Sequence, residues 1–464
     1  MHRTQTLVKD FTEGSIPRML MLFMLPFMAS NAFQVLYSTI DMIIVGQFVG
    51  SAGLSAVSLG SQILNFVTML STGFCTGGQV LLAQLIGADR REELSGVIGT
   101  LFSSVLLGGV VISVLIILLR MPLLQLLNMP VESFDMAVDY LTICGVGLIF
   151  TFGYNMVSSV LRGMGDSKHP FLFITIASAV NLVLDLLFTG YLGWGVAGAA
   201  AATILGQAVS FLFSLVFLYR RRASFFFDFR PASWRIRGSY LKPIVRQGIP
   251  LALSSSAIHI SMFYVNSLVN QVGVVASATF GVGIKIDDIC TKISTAINFA
   301  GAPMIAQNYA ARKVERAKGV VYWSWIYAAV FHGIFIAVYL LFGRQLFALF
   351  TPEQAVLDLA PVFISAIIWT FIPMALMRGT NAFIQGIGNA RLSMIFGLLD
   401  GVILRIGLSY LIGVAWGYGF YGFVLGYGLA AFGTAIPGTL YFLSGIWRRR
   451  KTLVDELEMK GEEP

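Results

Sequence analysis

Apolar stretches long enough to cross a bilayer follow one another along almost the whole chain. They fall near 17–44, 52–84, 93–120, 134–161, 169–192, 194–219, 246–272, 276–308, 317–347, 357–384, 390–415 and 417–447. A spanning helix needs about 20 mainly apolar residues. A membrane β-strand instead alternates polar and apolar positions over about ten. These runs are continuous and long, so the sequence predicts an all-α integral membrane protein of twelve transmembrane helices. Only 12% of the residues are charged, against about 25% in an ordinary soluble domain. A soluble protein this apolar could not cover its surface.

The net charge of +8 does not point to nucleic acid, because the cations are confined to alternate gaps between spans. One side holds Arg3, Lys9, Arg18, Arg90, Arg91, Arg162, Lys168, the linker cations from Arg220 to Arg246 including Lys242, Arg312, Lys313, Arg316, Lys318, Arg391, Arg448 to Lys451, and Lys460. The other side holds Arg120 and Arg344. Positive charge favours the cytoplasmic side, so both termini are expected in the cytoplasm of an inner-membrane protein. The polar first 18 residues lead to an expectation of no cleavable signal peptide. Cys75, Cys144 and Cys290 lie far apart within apolar runs and form no metal-ligand pattern.

The chain repeats itself. Val80-Leu-Leu-Ala-Gln-Leu-Ile-Gly-Ala-Asp-Arg90 matches Pro303-Met-Ile-Ala-Gln-Asn-Tyr-Ala-Ala-Arg-Lys313. Leu161-Arg-Gly-Met-Gly-Asp-Ser-Lys168 matches Ile384-Gln-Gly-Ile-Gly-Asn-Ala-Arg391, and Gly193-Trp-Gly-Val-Ala-Gly198 matches Gly417-Tyr-Gly-Phe-Tyr-Gly422. All three pairs keep the same offset to within a single position. Six helices per half return the chain to the cytoplasm, so the halves are parallel repeats. The expected organisation is a lobe over 1–218, a basic linker over 219–245, a lobe over 246–447 and a tail over 448–464. Pro26 and Pro250 are near repeat mates that either bend their helices or begin them.

An ionisable group inside a span is a functional candidate by default. Asn31, Gln34, Ser38 and Asp41 share one face of the first helix. A lone carboxylate there is protonated, paired or bound to a cation. Asp185 stands one turn from Asn181, with Ser178 a turn earlier, and the sixth helix adds Thr203 and Gln207. Such a set suits a proton relay, a Na⁺ site, or a structural network tying helices together. In the second half, Lys285, Asp288 and Lys292 share a face of the eighth helix, with Asp287 beside them. That set reads as an ion-pair group or as a contributor to substrate binding or gating. His259, Arg378, Asp400 and Arg405 are further candidates, and Arg405 is expected to pair with an acid of the eighth helix. The repeat positions of Asp41 and Asp185 hold Tyr264 or Val265 and Ser409. The halves are thus chemically unequal, with ion coupling expected in the first. No phosphate-binding loop or catalytic constellation is present in the sequence, so no enzyme and no cofactor is expected.

Asp41 followed by Gly46 and Gly50, the Gln84–Gly87 segment, the Leu-Arg-Gly-x-Gly-Asp pattern from Leu161, and Asn181 through Asp185 resemble the multidrug and toxic compound extrusion family. The likeness covers nearly the whole chain. It implies a V-shaped pair of six-helix bundles and cation-coupled efflux of amphipathic, often cationic molecules. The first half looks like the branch typified by DNA-damage-inducible members. In that branch the matching residues, Asp41, Asn181, Asp185 and Thr203, form a proton or Na⁺ site. Another branch carries acids in helices seven and ten, where this chain has Ile258 or His259, and Met374. Gln34, Tyr37, Asn155 and Ser178 are polar and intramembrane, and are expected to contact substrate. The polar group of the second lobe comprises His259, Lys285, Asp287, Asp288, Lys292 and Arg405. The expected protein is a monomeric antiporter in contact with membrane lipids. A flippase for a lipid-linked precursor and a membrane scaffold or receptor without a transport cycle are the other readings.

Overall fold

The computed structural model describes residues 8–127 and 129–461. Arg3, the side chain of Lys460 and the last three residues of the acidic tail lie outside that description. Twelve long helices follow one another: α1 (Ile16–Phe48), α2 (Gly50–Gly87), α3 (Arg91–Leu126), α4 (Val131–Gly163), α5 (Lys168–Tyr191), α6 (Gly195–Arg220), α7 (Gly238–Val272), α8 (Val274–Ala310), α9 (Val314–Ala348), α10 (Gln354–Gly386), α11 (Ala390–Ala415) and α12 (Gly419–Ser444). Eleven are long and apolar enough to span a membrane. The remaining one, α8, is 37 residues long and carries Lys285, Asp287, Asp288 and Lys292 near its middle. Outward faces are apolar, with Val111 and Leu118 of α3 and Ile334 and Leu341 of α9 all exposed. Water would not tolerate such continuous stripes; lipid does.

The contacts define two units. The first comprises residues 1–10, 29–249 and 457–464, and the second 11–28 and 250–456. These groupings cross the boundaries drawn from the sequence. The first thirteen residues of α1, 16–28, count with the second unit, and the start of α7 counts with the first. Helix α7 itself begins at Gly238, inside the stretch read as linker, and the tail contains a helix, Leu453–Gly461. Pro26 and Pro250 both lie inside their helices, close to where the chain passes from one unit to the other. Neither begins its helix.

Within the first unit α4 is central and packs on α2, α3 and α6, while α5 packs on α6. Within the second, α10 is central and packs on α8, α9 and α12. The repeat is visible atom by atom. A Cβ on Gly163 would stand 2.8 Å from the Gln79 carbonyl oxygen, and one on Gly386 would stand 2.8 Å from that of Ala302. Glycine and carbonyl are displaced equally between the two copies, at the offset of the repeat. The same offset relates two turns with left-handed backbone, Asp89 to Arg312 and Gly165 to Gly388. The Leu161–Lys168 motif is therefore a helix connector. Gly165 takes a φ of +85°, and Asp166 Oδ1 accepts from the backbone N–H groups of Lys168 (3.0 Å) and His169 (3.3 Å) at the start of α5.

The second unit ends in a docked tail. Trp447, Leu453 and Val454 are buried, and Tyr309 Oη donates to the Arg450 carbonyl at 2.6 Å. Asp455 accepts from Arg312 at 2.7 Å and from the Thr452 N–H at 2.8 Å. Partial burial pushes the Asp455 carboxyl up, but the Thr452 and Arg312 contacts outweigh it and hold the group below its ordinary value, about 3.9 for a free aspartate. A depressed folded value means that docking stability is full above the free value and is lost as pH falls through the folded one. A spin label at the exposed Lys451→Cys is expected to keep constant mobility above about pH 4 and to loosen below it. With Asp455→Asn added, that step disappears. A step unchanged by Asp455→Asn would refute the assignment.

Candidate functional site

In the first unit, Asn181 and Asp185 stand one turn apart on α5 and are 5% and 1% exposed. Asp185 ends the α-helical part of α5, and Leu186–Tyr191 continue as a wider π-helical turn. Such turns often mark functional sites. Helix α6 can approach because Gly206 has no side chain: a Cβ there would stand 2.9 Å from the Ala177 carbonyl oxygen and 3.1 Å from the Asn181 Cβ. The approach brings Asn181 Nδ2 to 3.5 Å from Thr203 Oγ1. From α1, Asp41 brings its carboxyl close enough to that of Asp185 for the two to interact. Asp41 Oδ1 and both Asp185 oxygens are buried and make no close hydrogen bond among the described residues, with the Asn181 amide the polar group next to Asp185. Two carboxylates have no proton to share, so a bond between them requires a proton on one.

Beside the pair lies a small pocket lined by Tyr37, Ile174, Ala177, Ser178, Asn181, Thr203, Gly206 and Gln207. Gln207 Oε1 is buried there without a donor. Of the expected substrate contacts, Tyr37 and Ser178 reach the lining, although Ser178 Oγ donates to its own helix at Ile174 O, 2.9 Å. Gln34 and Asn155 do not line it. Asn155 Nδ2 is buried without an acceptor on α4. Gly206 and Ala177, which set the helix spacing, were not singled out from the sequence. A small residue facing a polar turn on the preceding helix was the available signal.

The polar group of the second unit divides into separate parts. His259 is half-buried, and its Nδ1 meets the Ser255 carbonyl of its own helix at 2.8 Å. Asp288 and Lys292 form a half-exposed ion pair at 2.8 Å, and Lys285 is exposed. Asp287 faces the other way and is 3% exposed. The expected bond from Arg405 to an acid of α8 is replaced by one within α11. Its guanidinium donates to Asp400 Oδ1 at 2.9 Å and lies 4.4 Å from the centre of the Tyr427 ring. Residues 399–406 form a π-helical segment, and its wider turn brings positions five apart into register.

Known proteins agree with this architecture. The MatE family model matches twice, over 26–187 and 250–411, so the second match begins and ends at one constant displacement from the first. The chain is 30% identical over 449 residues to the probable multidrug resistance protein YpnP of Bacillus subtilis (strain 168), covering 96% of this chain and 99% of that one. It is 26% identical to the probable multidrug resistance protein YoeA of the same organism, covering 78% and 79%. A crystal structure of MATE in the straight conformation superposes with a TM-score of 0.87 at 26% identity, covering 95% of this chain and 98% of that one. With both halves matched, the repeat preserved and the helices in place, this chain belongs to the MatE family of multi-pass membrane proteins.

Proposed function

We propose that the protein is a secondary multidrug efflux antiporter of the cytoplasmic membrane, with both termini in the cytoplasm. It exports amphipathic, often cationic organic molecules in exchange for H⁺ or Na⁺ by alternating access. The observation that carries this reading is the Asp41–Asp185 carboxyl pair, set beside Asn181, Thr203 and a small pocket, with Asp185 buried and Asp41 half-buried. Each member has an acceptor to offer and little compensation for a full negative charge. A proton or Na⁺ supplies that compensation, and so does the positive end of an organic cation. The ligands therefore compete for one charge site. Coupling follows if the two conformations favour different occupants, because a ligand shifts an equilibrium only by its differential affinity. The names of the relatives support drugs as the cargo, and the one-sided basic loops support the orientation.

A lipid-linked anionic cargo would need unmatched cations. Arg405 is matched by Asp400, and Arg378 donates to Ser294 Oγ at 2.9 Å and to Thr291 O at 3.2 Å. Arg378 thus hydrogen-bonds only to neutral groups and Lys285 is exposed, so a flippase for a lipid-linked precursor stands as the second reading. The test is purified protein in liposomes, with a pH gradient and a Na⁺ gradient imposed separately while a fluorescent cationic dye is followed. Dye movement under one gradient identifies the coupling ion. Folded protein that moves dye under neither overturns the antiporter reading.

A further inference from the structure

The mechanism proposed above uses no charged group of the second unit, yet that unit buries two acids and two arginines: Asp287, Asp400, Arg378 and Arg405. Buried charges are costly unless paired and hydrogen-bonded. Asp400 and Arg405 form an ion pair across the π-helical segment, and Arg378 is hydrogen-bonded to α8. Asp287 alone of the four makes no ion pair or hydrogen bond among the described residues. Its Oδ1 is buried with no hydrogen-bond partner among the described residues.

The surroundings are tight. One turn before Asp287, a Cβ on Gly283 would stand 2.2 Å from the Phe363 ring, so α8 is pressed against α10. The charged and titratable groups around Asp287 come from every neighbouring helix. Asp288 and Cys290 share its own helix, Arg378 comes from α10, Arg405 with Asp400 from α11, Tyr339 from α9 and Tyr427 from α12. His332 of α9 faces Arg378. Tyr339 Oη and Asp400 Oδ2 are themselves buried without partners.

This setting tolerates both forms of the carboxyl. Protonated, it is neutral and offers a donor to an enclosure holding unused acceptors. Ionised, it balances the surplus charge of two guanidiniums set against the single carboxylate of Asp400. A proton is also the one cation that needs no volume of its own among packed rings. We infer that Asp287 is a second proton-carrying carboxyl, placed in the second unit and separate from the Asp41–Asp185 pair. On release the O–H bond breaks and the proton passes to water. The electron pair stays on the carboxylate, facing Arg405 and Arg378, both of which remain protonated throughout.

The consequence for transport, one proton site in each half of the repeat, rests on the antiporter reading. The protonation itself does not, and it is measured without transport. Infrared difference spectra between acidic and alkaline buffer are recorded on purified protein in lipid nanodiscs. The expected wild-type spectrum contains a protonated-carboxyl band that is absent in Asp287→Asn, shifted in Asp287→Glu and retained in Asp41→Asn/Asp185→Asn. A carboxyl region identical in wild type and folded Asp287→Asn overturns the inference, since Asp287 then keeps one protonation state throughout. If Asp287→Asn does not fold, Asp287→Glu decides alone, and an unshifted spectrum overturns it. Failed dye transport with the band present would sink the antiporter reading and leave this one standing.

Discussion

Asp41→Asn removes gradient-driven efflux while leaving the protein folded. Asparagine keeps the shape of the side chain but can neither take up a proton nor neutralise a cation. Removing one carboxyl also relieves the close approach of two acids, so the variant should be at least as stable as wild type. Coupling free energies between sites typically run about 1–3 kcal/mol, or roughly 5–150-fold. The ratio of dye export with and without the driving gradient should fall to about one. Asp185→Asn should do the same. Because the two groups act as one unit, the double variant should be no worse than either single one. Export that still responds to the gradient in stably folded Asp41→Asn would remove the central assignment.

Gly163→Val and Gly386→Val should each deplete folded protein, and by similar amounts. In both, the new side chain meets a backbone carbonyl at 2.8 Å, Gln79 in one and Ala302 in the other, and a backbone oxygen between packed helices cannot step aside. Alanine at either place should cost about 1–3 kcal/mol, the usual range for overpacking, and valine more. Gly108 and Gly333 are controls, since nothing lies within 4 Å of a Cβ at either. Alanine there should be neutral or stabilising by up to about 1 kcal/mol. Thermal stability in detergent, read by size-exclusion chromatography after heating, compares all four. A Gly163 variant as stable as the Gly108 control would mean that the α2–α4 contact is looser than described.

Helix number and the repeat were legible because they depend on local composition and on register. An apolar run of span length has one economical way to satisfy its backbone in lipid. Motifs that recur at a constant offset survive in the backbone as paired left-handed turns and paired glycine contacts. Helix α8 shows the limit of composition alone. Its four charges lower its hydropathy, yet its apolar run over 276–308 reads as a span, and the repeat matches it to α2.

The first-unit site was partly legible. Polar residues one turn apart share a helix face by geometry, which grouped Asn181 with Asp185 and Thr203 with Gln207 before any fold was known. That Asp41 meets Asp185 depends on how α1 lies against α5, and that Asn181 meets Thr203 depends on the gap left by Gly206. The Arg405–Asp400 pair could not be read from α-helical spacing, because five residues apart is not a neighbouring position until the helix widens.

The sequence by itself determined the solvent, the number of crossings, the twofold repeat and the set of costly polar residues, since each follows from the free energy of placing given side chains in lipid. Tertiary structure alone decided which of those residues meet, which stay unpaired and where the helices pass between the two units. Those outcomes depend on contacts between distant segments and on local departures from the α-helix, neither of which is written in the spacing of one segment.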